Sequence, residues 1–173
     1  FKEKDFEKWV NSGENYFIKH EDGDYNKAYF NNVKKVLGID NIESNFASMD
    51  LYKIGTCDER ELNKKIKEEK SIKKCEKYFI KQLKLIKIKH KLLIFSGRKV
   101  EQSINEFSNT KREMTKTYKE QPYDFIEDYD IDGEKYHALF LFSFSGQAVN
   151  KIWINMPEEQ QNKIKEIVKN YSV

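Results

Sequence analysis

Proline, glycine and arginine are scarce in this 173-residue chain, with two Pro, seven Gly and only Arg60, Arg98 and Arg112. So little Pro and Gly excludes long flexible linkers and low-complexity arms. Two cysteines, Cys57 and Cys75, are too few for a disulfide framework. They predict reduced, buried thiols in a cytoplasmic protein. No apolar run approaches the roughly 18 residues of a membrane-spanning helix, and no signal-peptide pattern is visible. The first residue is Phe1 rather than Met, which predicts a further N-terminal element upstream.

Motifs are missing too. Neither GxxxxGK[ST] nor GxGxxG occurs, so no phosphate-cradling loop is expected. His20, His90 and His137 are far apart, and HExxH, HxxxH and CxxC are absent. No metal and no cofactor is therefore expected; His137, in a strand, should find a local hydrogen bond. A GxSxG elbow is also lacking, although Ser143-Phe144-Ser145-Gly146 closes an apolar run.

What is present is a core. Hydrophobic residues make up 38% and aromatics 14% of the chain, with twelve Phe and ten Tyr. Neither a disordered tail nor a coiled coil carries so many large rings. A single domain over residues 1–173 is the expectation from length. Net charge is +3, from 32 basic and 29 acidic residues. Lys, Ile and Asn are all abundant, a skew that fits an AT-rich coding sequence, so the Lys count alone does not argue for nucleic acid.

Periodicity predicts the elements. Residues 2–11 are short and amphipathic, and 12–23 read as a loop. A helix follows, with Tyr25, Ala28, Tyr29, Val33, Val36 and Leu37 inward and Gly38 as its C-cap. Residues 46–54 read as a strand and 58–70 as a charged helix. Ser71 is a plausible N-cap for a longer helix whose stripe is Ile72, Cys75, Phe79, Leu83 and Ile86. Leu92–Ser96 is a short apolar run of the buried, parallel kind. Arg98 opens a helix with Val100, Ile104 and Phe107 on one face. Residues 108–120 are polar and give no clear element.

Residues 122–145 carry the strongest β signal. Tyr123, Phe125, Glu127, Tyr129 and Ile131 alternate onto one face, Asp132-Gly133 is a favoured type I′ pair, and Tyr136 to Phe144 is apolar enough for burial on both faces. A last helix runs from about Pro157 to Tyr171, with Ile164, Ile167, Val168 and Tyr171 inward. Helices alternating with apolar strands predict an α/β fold, a three-layer α/β/α sandwich with a largely parallel central sheet. Ligands then bind beyond the carboxyl ends of the strands, near Lys53–Thr56, Ser96–Arg98 and Ser143–Gln147.

Charge is segregated. Residues 64–91 hold twelve Lys and three Glu, whereas residues 120–134 hold seven acids and no base. The Lys run reads as a solvated face or as a phosphate-facing stripe. The acidic hairpin 120–134 departs in sign from its background, which points to nucleic-acid mimicry or to a basic protein partner.

Three segments together resemble the uracil-DNA glycosylase superfamily, over about residues 25–155. Met49-Asp50-Leu51-Tyr52-Lys53-Ile54 resembles the strand where that family has Asn followed three residues later by Lys. Ser71 to Gly97, with KLLIFSG and a helix opened by Arg98, resembles its helix, buried strand and Gly unit. Phe142-Ser143-Phe144-Ser145-Gly146-Gln147 falls where the family carries a His-Pro-Ser loop. Ser143 stands in place of that His, no Pro follows, and Asp50 stands in place of the Asn. The resemblance implies a DNA-binding domain that flips a base into a pocket, with base-excision activity altered or lost. It implies Asp50 and Ser143 as catalytic residues: a carboxylate to orient water and a donor to the leaving base. Phe46, Lys53, Arg98, Ser145, Gly146 and Gln147 would contact the nucleic acid. The alternative is a non-enzymatic module that docks a protein through hairpin 120–134.

Overall fold

A strand that is apolar on both faces belongs in the middle of a sheet, and that is where the third strand lies. The computed structural model describes residues 24–40, 69–85, 92–113, 118 and 120–171. The expected elements at 2–11 and 46–54, with Cys57, His20 and His90, lie outside those residues, as does the expected helix 58–70 apart from Glu69 and Lys70, which are helical. The chain divides into two compact units, residues 1–15 with 47–87 and residues 16–46 with 88–173.

In the second unit, β1 (Leu92–Ser96), β2 (Tyr123–Ile131) and β3 (Glu134–Leu141) form one sheet in the order β1-β3-β2. β1 runs parallel to β3, with Leu92 opposite His137 and Ser96 opposite Leu141. β2 runs antiparallel to β3, with Tyr123 opposite Leu141 and Ile131 opposite Glu134. The fold is α/β, but the described sheet is mixed rather than largely parallel. The cause is local. A two-residue turn can only join antiparallel strands, whereas β1 reaches β3 through a long, helix-bearing connection. The turn is the one its residues demand, with φ of 54° at Asp132 and 82° at Gly133.

One expectation about β2 is corrected. The register shifts between Ile126 and Tyr129, so Glu127 and Asp128 form a bulge. Tyr123 and Phe125 share a face with Leu139 and Leu141, while Tyr129 and Ile131 turn to the opposite face. There Tyr129 meets Phe140 edge-on at 5.3 Å between ring centroids, and Phe95 closes the group 5.0 Å from Phe140.

Helices supply the rest of the core. In α1 (Asp24–Leu37), Phe30, Val33, Val36 and Leu37 are buried. In α5 (Glu158–Tyr171), Ile164, Ile167 and Val168 are buried. Both stripes join Leu139, Leu141, Phe142 and Phe144 in one cluster. Between β3 and α5, a single α turn α4 (Gly146–Ala148) runs on as a π turn (Val149–Trp153) that buries Val149 and Trp153. α3 (Arg98–Phe107) buries Ile104 completely. α1 ends as expected: Gly38, at φ 69°, turns its own N–H and that of Ile39 onto the Lys34 carbonyl at 2.9 and 3.1 Å. The inward set of α1 is rotated from the expectation, since Ala28 and Tyr29 are exposed and Phe30 takes the buried place. At α5, the Pro157 carbonyl accepts from the Gln160 and Gln161 N–H groups.

The first unit is described through α2 (Glu69–Leu85). It begins two residues before Ser71, so Ser71 lies inside the helix and is not its N-cap. Cys75, Phe79 and Leu83 are buried as expected, and Cys75 is a free thiol. Among the described residues no helix is long and apolar enough to cross a membrane.

Candidate functional site

Parallel pairing of β1 with β3 sets their carboxyl ends side by side. The Gly97 N–H donates to the Leu141 carbonyl at 2.8 Å, and Ser96 Oγ donates to the Phe142 carbonyl at 3.2 Å. Gly97 is held at φ 96°, and a Cβ there would lie 3.8 Å from Ser143 Cβ. The two chain turns therefore touch. Arg98 leaves one of them and Ser143–Gln147 the other, and all of Arg98, Ser143, Ser145, Gly146 and Gln147 are exposed. Five of the residues expected at a site thus share one lip of the second unit. The other three, Phe46, Asp50 and Lys53, lie outside the described residues.

The serines have plain local work. Ser143 Oγ accepts from the Ser145 N–H at 3.3 Å, and Ser145 Oγ caps the next turn by accepting from the Ala148 N–H at 3.4 Å. Each hydroxyl keeps its own proton to donate. Neither bonds to a His, Asp or Glu among the described residues, so nothing there activates a nucleophile. What this lip can do by itself is donate hydrogen bonds and present one guanidinium.

Behind it stands a residue the sequence reading placed in the core. Tyr29 on α1 is 39% exposed and meets Phe144 edge-on at 6.2 Å. Asn32, one turn on, donates to the Phe144 carbonyl at 3.0 Å and fixes that segment to α1. The Ser143–Ser145 turn is thus flanked by Gly97-Arg98 and by an exposed aromatic ring. The signal in the sequence was apolarity: of the neighbours Tyr29 and Phe30, Phe30 is the more apolar and takes the buried place.

A second constellation went unread in the sequence. Glu101 on α3 is wholly buried. Arg112 donates to Glu101 Oε1, and its Nε and Nη2 reach Asp124 Oδ2 at 2.9 and 2.6 Å. Tyr118 donates its hydroxyl to Glu101 Oε2 at 2.7 Å, and the guanidinium lies 4.0 Å over the Phe140 ring. Burial alone lowers the Arg112 pKa, but Glu101 and Asp124 outweigh it and hold the group above its ordinary value. The Tyr118 phenol is pushed well above its ordinary range, first by burial and then by the Glu101 carboxylate. Tyr129 is raised by burial, with Ser108 and Arg112 pulling the other way. The Tyr129 hydroxyl is buried without a hydrogen-bond partner. Carboxylates answer the guanidinium on both sides, so this is a tie rather than a reactive centre. It fastens the segment after α3 to α3, β2 and β3. Lys111 completes the fastening by donating to the Asn105, Glu106 and Ser108 carbonyls at the α3 C-terminus.

The acidic hairpin is less uniform than its composition. Asp124 is taken up by Arg112, and Asp130 Oδ1 accepts from Asn109 and from the Gly133 N–H. Glu127, Asp128, Asp132 and Glu134 are exposed around the turn. His137 corrects another expectation: its Nδ1 is buried with no hydrogen-bond partner, and its ring lies 4.2 Å from that of Tyr171. Among the described residues no group of three or more His, Cys, Asp or Glu could hold a metal ion. No family model, curated protein or solved structure matches the chain.

Proposed function

We propose that the chain is a nucleic-acid-binding domain that takes a single strand, or an extruded base, at the lip formed by Tyr29, Arg98 and Ser143–Gln147. The supporting observation is the flanking of an exposed hydroxyl-bearing turn by an exposed aromatic and an arginine, at the carboxyl ends of two parallel strands. Base stacking on an aromatic, with a cation on the backbone, is how single strands are held without a shaped pocket. In this reading Arg98 takes a phosphate and Tyr29 stacks on a base. Ser143, Ser145 and Gln147 donate to base edges, with Gly146 letting the backbone approach.

The finer architecture belongs to the same reading. A glycosylase-like α/β/α sandwich is supported by α1 and α5 on the Leu139 face, and by the Glu101–Arg112 tie running from α3 to the Phe140 face. Free, buried Cys75 supports a reducing, cytoplasmic setting. Within the lip, Ser143 would be the donor to the leaving base in base excision. A hydroxyl in place of a stronger donor costs about 10²–10³ in rate, so excision is slow or absent while binding persists.

The test is equilibrium binding of a labelled single-stranded oligonucleotide, with abasic-site formation on uracil-bearing strands as a second readout. Arg98→Gln and Tyr29→Ala should each weaken binding in a protein that remains folded. Wild-type affinity in both variants would overturn the lip. A second reading, docking of a basic protein, is favoured by the four exposed acids at the hairpin turn. Asp128→Lys with Asp132→Lys would abolish such a contact and leave oligonucleotide binding intact.

A further inference from the structure

The lip ends at Gln147, but the helical segment it opens runs on. The Val149 N–H donates to the Ser145 carbonyl at 3.0 Å, and the Ile154 N–H reaches back five residues to the Val149 carbonyl at 3.2 Å. α4 and the π turn are therefore one continuous short helix. Val149 and Trp153, four apart, are buried. Gln147 and Lys151, also four apart, are exposed, with exposed Asn150 and Ile154 beside them. Ile154 is 57% exposed; among the described residues it and Tyr29 are the exposed large hydrophobic side chains. α1, which carries Tyr29, packs against α4. Residues 135–157 hold Lys135 and Lys151 and no acid, in a chain with 29 acids. A π turn is rare, and it occurs frequently at functional sites.

We propose that the π turn extends the lip into a track for one nucleic-acid strand, with Lys151 taking a phosphate beyond the one at Arg98 and Ile154 packing against the next base. The proposal deepens the reading of the lip as a nucleic-acid contact and rests on it. The order of side chains matches such a ligand: an arginine, then a turn of hydroxyl and amide donors, then a lysine beside an exposed apolar group. Cations at both ends suit repeating phosphates, and the donors and apolar surface suit the bases between them. The absence of acid from the whole segment favours a polyanion. A lipid surface would need an apolar helix face several residues wide; here the exposed face offers Ile154 among polar side chains.

The experiment follows the affinity of the full chain for a labelled single-stranded oligonucleotide across a salt series. Lys151→Gln should lower the slope of log affinity against log salt by about 0.7, the contribution of one phosphate on a single strand. Lys151→Arg should keep the original slope, and Lys151→Gln with Arg98→Gln should lower it by about 1.4. Ile154→Ser should weaken binding several-fold at every salt concentration and leave the slope alone. Circular dichroism verifies folding. Asn150→Asp, which sets a carboxylate beside Lys151, is the independent variant and should also weaken binding. A slope unchanged by Lys151→Gln, or wild-type affinity in Ile154→Ser, overturns the track. If Arg98→Gln still lowers the slope in that case, the lip stands and only its extension falls. Absence of any oligonucleotide binding by the wild type overturns both. Binding to phosphatidylserine-rich vesicles in place of oligonucleotide overturns the choice of partner.

Discussion

Arg112 shows how much one residue can decide in a chain that uses Lys almost everywhere. Lys offers a point charge; Arg offers a fork, and here the fork serves Glu101 and Asp124 at once while lying over Phe140. Arg112→Met leaves Glu101 buried and uncompensated, and should cost about 3–5 kcal/mol, read as a lower urea midpoint. Arg112→Lys should fall between the two, because an ammonium cannot bridge both carboxylates. Tyr118 gives a pH prediction. Its folded pKa lies above its unfolded value, near 10.0, so above that pH the unfolded chain releases the proton while the folded chain keeps it. Stability is then fully present below about pH 10 and falls as pH rises beyond it. Tyr118→Phe should flatten that alkaline loss by up to one proton; an unchanged alkaline limb would contradict the buried bond to Glu101. The sequence did not disclose this tie. An acid three residues before Ile104 reads as solvated unless its partner is known, and the partner lies eleven residues on, beyond a segment with no periodic pattern. The one available hint was an Arg where the rest of the chain has Lys.

Among the elements, the hairpin was legible because its information is local. Asp132-Gly133 fixes the turn, and both residues have positive φ. Gly133→Val puts a β-branched side chain at φ 82° and should cost about 1–2 kcal/mol, seen as a lower thermal midpoint, whereas Asp132→Asn should be nearly neutral. The bulge at Glu127-Asp128 was not legible, since an extra residue in one strand is defined only by its pairing partner. Its position has a use. β2 lies at one edge of the described sheet, and a bulge bearing two exposed acids discourages another chain from pairing there. The α1 cap shows the same contrast. Gly38 as terminator could be read from sequence, but a Cβ there would also sit 2.9 Å from Lys165 Cγ. Gly38→Ala should therefore lower stability by somewhat more than the backbone cost of about 1 kcal/mol.

At the scale of the molecule, apolar periodicity was enough to give α/β content, the burial of the strand after the hairpin turn and the burial of Ile164, Ile167 and Val168 in α5. The described sheet is mixed, because a strong hairpin at the end of an alternating pattern sets an antiparallel pair beside the parallel one. Five of the eight expected site residues do meet at one lip, since strand ends in a parallel pair are neighbours whatever their loops contain. Tyr29 joined them only once the rotation of α1 was known. The central claim is that this lip grips a nucleic-acid strand, and charge makes it directly measurable. The most direct measurement is the affinity of the full chain for a labelled single-stranded oligonucleotide across a salt series, for wild type and Arg98→Gln. Binding should weaken with salt, and the slope should be lower by about one phosphate contact in the variant. No binding at low salt, or a slope that Arg98→Gln leaves unchanged, would contradict it.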